Sequence, residues 1–305
     1  MTLSEADIRL AYQHILDRTA SEAEVEHMFK AGHTAGTLGQ AFIRSAEFKL
    51  KFKARETQER GVPALVHLHV PKSAGSSLTS ILAKNFPKRQ SHALTDGTLA
   101  AFGALPAATR RQARFVSGHL VHGLDHLLPQ GCLYVCVLRP PGPRLLSYFR
   151  FMKRRKIHPM YATLNRDDMS FGQFLEYCMT DRGLRTEADN GQIRRLAGRA
   201  MAHNSFGNEP AVFRAALKNI FADTMVFGLT AHFDLLLEDL VARKLISGFQ
   251  EVKANVDPEP ANFDAARDEL TAHQLDLLDI FTRWDARFYD ICESFILGLT
   301  ADRTL

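Results

Sequence analysis

The feature that most constrains this chain is a short apolar run, Leu65-Val66-His67-Leu68-His69-Val70. It stops at Pro71 and gives way to small residues, then to a helical pattern carrying Leu78, Ile81, Leu82 and Phe86. Similar runs recur at Arg114 to Ser117, Cys132 to Leu138 and Thr224 to Phe227, each followed after a short break by helical periodicity. Short strands that alternate with helices pair in parallel, because the helix is the crossover, and the helices then cover both faces of the sheet. The spacing therefore predicts an α/β fold with a mostly parallel sheet flanked by helices. With 305 residues, 46% of them hydrophobic, the chain can bury a full core as one large α/β domain with a smaller appendage.

That appendage is N-terminal and small. Ile8, Ala11, Tyr12, Ile15 and Leu16 recur at helical spacing, and Ser4 with Asp7 can cap the start. A second helix starts at Ser21-Glu22-Ala23-Glu24 and stops at Gly32, and a third carries Leu38, Phe42, Ile43 and Phe48. The charged segment Lys49 to Arg60 marks a boundary, giving an all-helical region over residues 1–58 and an α/β domain over residues 62–300. From Phe171 onwards the pattern is predominantly helical.

The formal net charge of +4 suits an anionic ligand and is too small to argue for nucleic acid. The four cysteines, Cys132, Cys136, Cys178 and Cys292, form no CxxC pair and no metal-finger spacing, which predicts buried reduced thiols. Cys132 and Cys136 would face the same way on a strand. The start MTLSEADIRLAYQ lacks a basic stretch followed by an apolar run, and no window of about 18 apolar residues offers a membrane span. These features lead us to expect a cytoplasmic protein.

Pro71-Lys72-Ser73-Ala74-Gly75-Ser76-Ser77-Leu78 lies between a strand end and a helix start. Unpaired N–H groups and the positive end of the dipole make such a helix N-terminus a place for phosphate-like anions. Small residues let the backbone come close, Ser76 and Ser77 can add hydroxyl donors, and Lys72 adds a full charge. The loop is not a Walker A motif, in which lysine follows the last glycine and precedes a magnesium-holding hydroxyl. Here lysine comes first. A plain connecting turn is the alternative reading.

A second segment has the same logic. The run Cys132 to Leu138 ends in Arg139, followed by Pro140-Pro141-Gly142-Pro143-Arg144-Leu145-Leu146-Ser147-Tyr148. Prolines pre-set the first turn of a helix, and Arg139 sits at a strand's C-terminal edge, where open α/β sheets bind ligands. Arg139 and Ser147 can clamp a further phosphate, the arginine through its planar fork.

Together, PKSAGSSL and LRPPGPRLLSY resemble the two donor-binding motifs of sulfotransferases, in the carbohydrate-acting branch that includes heparan sulfate 2-O- and 6-O-sulfotransferases and bacterial relatives. The resemblance runs from about Leu65 to Phe295. It also takes in Ser117-Gly118-His119, Asp189-Asn190-Gly191-Gln192 with Arg194-Arg195-Leu196, Val226-Phe227-Gly228-Leu229-Thr230, Ala254-Asn255-Val256 and Arg287-Phe288-Tyr289-Asp290. It implies a P-loop-like fold binding 3′-phosphoadenosine 5′-phosphosulfate without a required metal. In that reading Lys72, Ser73, Ala74, Gly75, Ser76 and Ser77 would hold the 5′-phosphosulfate. Arg139 and Ser147 would hold the 3′-phosphate. Two departures stiffen the second loop: Pro140 and Pro143 stand where the family usually has an aspartate and a glutamate. The N-terminal residues fall outside the match and look similar to a small helical module of bacterial glycan-related proteins.

Sulfuryl transfer to a hydroxyl needs charge stabilisation at the departing phosphate and a base near neutral pKa. Lys72 is placed for the first role. For the second, His119 follows a β-like run in a Gly-His sequence that resembles the family's catalytic histidine position, with His122 and His126 as rivals. The three histidines offer no obvious partner set for a metal. His67 and His69 share one strand face and either fill the core or line the donor pocket.

Asn190, Gln192 and Arg195 are acceptor-side candidates by resemblance; by composition alone they pass as helix-surface groups. Asn255 belongs by resemblance to a loop near the donor. The basic run Arg150 to Lys156 is a solvated helix face or a guide for an anionic polysaccharide. Trp284 reads as core. The expected partner is a hydroxyl acceptor on an oligo- or polysaccharide. The competing readings are a P-loop nucleotide kinase, which requires an acidic magnesium ligand at a strand end, and a non-catalytic interaction protein.

Overall fold

A computed structural model describes residues 4–16, 18–45, 47, 62–202, 206–250 and 262–301. Phe48, the boundary segment Lys49 to Arg60 and Asn255 lie outside the described residues.

Three N-terminal helices come first: α1 (Glu5–Ile15), α2 (Glu22–Lys30) and α3 (Ala35–Arg44). Each begins with a capping box, at Ser4/Asp7, Ser21/Glu24 and Thr34/Thr37, so two orphan N–H groups are satisfied at each start. Gly32 follows α2 at φ +68, the left-handed position that a helix stop of this kind favours. The helices share an apolar cluster built on Ile8, Tyr12, Val25 and Phe42, against which Phe295 from the C-terminal helix also rests.

The sheet comprises β1 (Ala64–Leu68), β2 (Ser91–Ala93), β3 (Phe115–Gly118), β4 (Cys132–Leu138) and β5 (Met225–Leu229). All pairings are parallel, in the order β2-β3-β1-β4-β5. The expected runs are therefore strands, Cys132–Leu138 with its ends unchanged and the other three with ends moved by one or two residues. β2 was not foreseen; three residues are too few to show alternation.

Helices α4 (Gly75–Ala83), α5 (Asp96–Ala104) and α6 (Ala107–Arg110) fill the crossovers before β3. Between β4 and β5 run α7 (Pro141–Arg154), α8 (Tyr161–Arg166), α9 (Phe171–Thr180), α10 (Arg182–Ala188), α11 (Gly191–Ala197), α12 (Arg199–Ala202) and α13 (Glu209–Ile220). The chain closes with α14 (Phe233–Ala242), α15 (Phe263–Asp268) and the long α16 (Ala272–Ala301).

Strand alternation divides the core. Leu65, Phe115, Val135, Val137 and Val226 meet Leu78, Ile81 and Leu82 of α4 and Leu236, Leu237 and Leu240 of α14 on one face. Val66, Leu68, Val116, Tyr134, Cys136 and Phe227 meet α11, α13 and α16 on the other. Cys132 and Cys136 fall together on this second face, as their spacing predicts, and all four cysteines are buried free thiols. Trp284 rests against the same core with its ring centroid 5.3 Å from that of Phe213. No helix among the described residues is long and apolar enough to cross a membrane.

Candidate functional site

The strand order fixes where a ligand can go. The connection after β1 leads towards β2, whereas that after β4 leads the other way to β5, and β1 and β4 are neighbours. Adjacent strands whose connections diverge leave a crevice beyond their C-terminal ends. The two segments singled out in the sequence, 71–78 and 139–147, are the loop-helix segments that flank this crevice.

Between β1 and α4 the backbone is unusual. Lys72 and Ala74 have φ of +66 and +56, on either side of Ser73. Alternating hands of this kind turn successive N–H groups towards one concavity, the arrangement that makes an anion nest. Two non-glycine residues in the left-handed region cost about 1–2 kcal/mol each, strain that persists only where the surroundings enforce it. Ala74 is the N-cap of α4 and supplies no side-chain cap. Ser73 and Ser77 are buried, and the Ser73 hydroxyl is enclosed without a hydrogen-bond partner. The Lys72 ammonium group lies 4.4 Å from the centroid of the Phe151 ring on α7, a cation–π contact that draws it to the rim beside that helix.

Arg139 closes the other side. Its guanidinium Nη1 donates to the Lys72 carbonyl at 3.1 Å. Its backbone is held by Gln192, whose Oε1 accepts from Arg139 N–H at 3.0 Å and whose Nε2 donates to Arg139 C=O at 2.8 Å. Helix α7 starts as the prolines predict, with Pro140 at its N-cap and no side-chain cap. Ser147 sits nearly two turns inside that helix and is buried, deeper than its expected place near the helix start.

The histidines divide by environment. Register pairs Leu68 with Gly118, and His69 N–H continues the ladder to Gly118 C=O at 2.9 Å, so His69 and His119 emerge side by side. Their ring centroids are 4.4 Å apart, and His119 Nδ1 is 3.0 Å from the His69 carbonyl oxygen. His119 is exposed at the strand end.

The His69 ring lies against the start of α4, so close to Gly75 that a Cβ there would come within 2.1 Å of the ring. Burial first, then His119, Arg195 and Lys72, push the His69 pKa down to about 3. His67 is fully buried, stacked on His69 with Nδ1 2.9 Å from Thr79 Oγ1, and burial holds it well below the usual histidine range. Of the two readings left open, His67 fills the core and His69 lines the loop. His122 is half-buried, its ring centroid 4.5 Å from that of Tyr134, and burial lowers its pKa. His126 is exposed, with Nδ1 3.1 Å from the Gly123 carbonyl.

The acceptor-side candidates are all engaged in the protein's own hydrogen-bond network. Asn190 is fully buried and uses its whole amide. It donates to Asp189 Oδ1 and Ile280 C=O and accepts from the N–H groups of Trp284 and Asp285. An asparagine with all four hydrogen bonds made has nothing left for an acceptor. Gln192 is fully buried against Arg139.

Arg195 points its fork at Glu187 Oε2, at 3.2 Å from Nε and 2.5 Å from Nη2, and its Nη1 donates to the His119 carbonyl at 2.9 Å. None of the three is the solvated surface group that composition alone suggests. The basic run also splits: Lys153 is bound to Asp168 and to the Met169 carbonyl, while Arg154, Arg155 and Lys156 are exposed.

Sequence reasoning missed the charged layer beneath the site. Arg144, 1% exposed, donates to Glu187 Oε1 at 2.9 Å and lies 3.8 Å from Asp285. Asp285, fully buried, accepts from the N–H groups of Gln192 and Ile193 and so caps α11 from a distant helix; burial raises its pKa. The one signal in the sequence was an arginine set among apolar residues at the start of α7.

Comparison with protein-family models and with curated proteins finds no match to this chain.

Proposed function

We propose that the chain is a group-transfer enzyme that receives an anionic nucleotide in the crevice between β1 and β4. Within that class we read it as a sulfotransferase with a P-loop-like cradle, moving a sulfuryl group from 3′-phosphoadenosine 5′-phosphosulfate to a hydroxyl of an oligo- or polysaccharide. The observation that carries the reading is the meeting of the two loop-helix segments, 71–78 and 139–147, at the C-terminal ends of adjacent strands, joined by the 3.1 Å bond from Arg139 to Lys72.

The residues present fit such a donor. The loop of alternating hand, the uncapped start of α4 and the enclosed Ser73 hydroxyl suit a phosphosulfate, and Arg139 and Ser147 suit the 3′-phosphate. The donor supplies the activated sulfuryl group: the acceptor oxygen bonds to sulfur while the S–O bond to the nucleotide phosphate breaks, its electron pair leaving with the phosphate. Lys72 and the N–H groups of the loop stabilise charge at the departing phosphate. His119, exposed at the strand end, takes the acceptor's proton, whereas His122 is half-buried against Tyr134. Nothing in the scheme needs a metal. The kinase reading is disfavoured because β4 is followed at once by Arg139 rather than by an acid. The buried free thiols suit the reducing cytoplasm.

The test is a thermal-shift comparison of 3′-phosphoadenosine 5′-phosphate with ATP and magnesium. Stabilisation by the former supports the proposal. Stabilisation only by ATP with magnesium favours a kinase, and silence towards both favours a non-catalytic protein.

A further inference from the structure

We infer that Arg195 is a positioning residue that, together with the backbone carbonyl of His69, holds His119 as the Nδ1–H tautomer and makes Nε2 the nitrogen that receives a proton. The source of that proton rests on the sulfotransferase reading; the tautomer does not.

A carbonyl oxygen has no hydrogen to give. The 3.0 Å contact between His119 Nδ1 and His69 O is therefore a hydrogen bond in which Nδ1 carries the proton. In the neutral ring the lone pair then belongs to Nε2. Free neutral histidine prefers the opposite tautomer, so the protein has to hold the ring in place to keep this one.

The sheet alone does not hold it. The β1–β3 ladder ends with the bond from His69 N–H to Gly118, and His119 lies beyond it on an exposed turn. Arg195 brackets that turn twice. Its guanidinium donates to His119 C=O at 2.9 Å, and its own carbonyl accepts from His122 N–H at 2.9 Å.

The guanidinium is fixed in turn. Nε and Nη2 share Glu187 Oε2, and the other Glu187 oxygen accepts from Arg144, whose side chain is 1% exposed. A fork engaged on Nε, Nη1 and Nη2 by protein acceptors acts as a strut. Proton transfer keeps this geometry: Nε2 gains the acceptor's proton, and the Nδ1–H bond to His69 strengthens as the ring becomes cationic.

The experiment uses the full chain labelled with ¹⁵N-histidine, with the His119 signals assigned by their loss in His119→Gln. Long-range ¹H–¹⁵N spectra above the ring's pKa should show a protonated Nδ1 and an unprotonated Nε2 in the wild type. Arg195→Lys keeps a charge but loses the fork. Arg195→Met loses the fork and the charge together while Glu187 keeps its partner in Arg144, and if this variant fails to fold the lysine variant carries the test. Both should give mixed His119 tautomers, and turnover should fall about 10–100-fold, part of what a positioned base contributes, with donor KM within about threefold.

A wild-type spectrum with the proton on Nε2 overturns the inference. So do Arg195 variants that retain the pure Nδ1–H pattern and full turnover. The spectra need no donor, so a protein that transfers no sulfuryl group would sink the functional reading while leaving the tautomer result to stand or fall by itself.

Discussion

The guanidinium of Arg139 donates to the backbone carbonyl of Lys72 across 67 residues of sequence, because β1 and β4 are neighbours in the sheet. Each strand delivers one loop to the crevice, and this bond ties the loops together. The backbone of Arg139 is itself gripped at both polar groups by Gln192.

Replacing Gln192 should therefore loosen the second loop. Gln192→Leu removes the two hydrogen bonds that Gln192 makes to the N–H and C=O of Arg139 and should cost about 2 kcal/mol in urea unfolding. Gln192→Glu should be less stable still at pH 8, because a buried carboxylate then faces a carbonyl. It should recover as pH falls and the protonated acid regains a donor. Equal midpoints for all three proteins would contradict the role given to this side chain.

Two glycines beside the site should differ in how they fail. Alanine at Gly75 brings a Cβ within 2.1 Å of the His69 ring, a side chain that can turn aside, whereas at Gly118 it meets the Leu94 carbonyl oxygen at 1.9 Å. Gly75→Ala should cost about 1–3 kcal/mol, in the range of overpacking. Gly118→Ala, opposed by backbone, should cost about 4 kcal/mol or more. Adding His69→Ala should recover part of the first loss, and adding Leu94→Ala none of the second, as read from a double-mutant cycle.

Stability should fall with acid through the histidine range. The unfolded chain protonates His69 near 6.5, but the folded chain does so only near 3. Unfolding therefore binds a proton between those values. The folded state loses up to about 1.4 kcal/mol per pH unit per such site as pH drops through the window, and nothing above it. His67, also held low by burial, works in the same direction. Unfolding free energies measured between pH 7.5 and 5 should show a shallower slope in His67→Phe and His69→Phe than in the wild type; parallel slopes would refute the assignment.

The cysteines should be silent until the chain unfolds. Burial pushes the thiols of Cys132, Cys136 and Cys178 up to about 12 and raises Cys292 as well. A thiolate-dependent reagent such as Ellman's should find no fast-reacting group in the native protein and all four after denaturation in guanidinium. A thiol that reacts at once in the native state would place it outside the core.

Much of the framework was legible in the residues. The run Cys132 to Leu138 is a strand with the expected ends, and the caps at Ser4 and Ser21 form as read. The loop at Lys72 and the proline-led helix after Arg139 lie at strand ends, as their residue types require. The surface reading of Asn190, Gln192 and Arg195 fails, because a polar residue on a helix reads the same whether it faces water or a buried partner.

Each segment's own geometry follows from its residues alone, since the spacing of apolar residues, small residues and caps acts over a few positions of chain. Which strand lies beside which depends on how the crossovers close around a common core, and no local spacing encodes it. Only that closure sets His69 against His119, joins Arg139 to Lys72 and sinks Arg144 beside Glu187 and Asp285, where burial and close approach give ordinary side chains their particular chemistry.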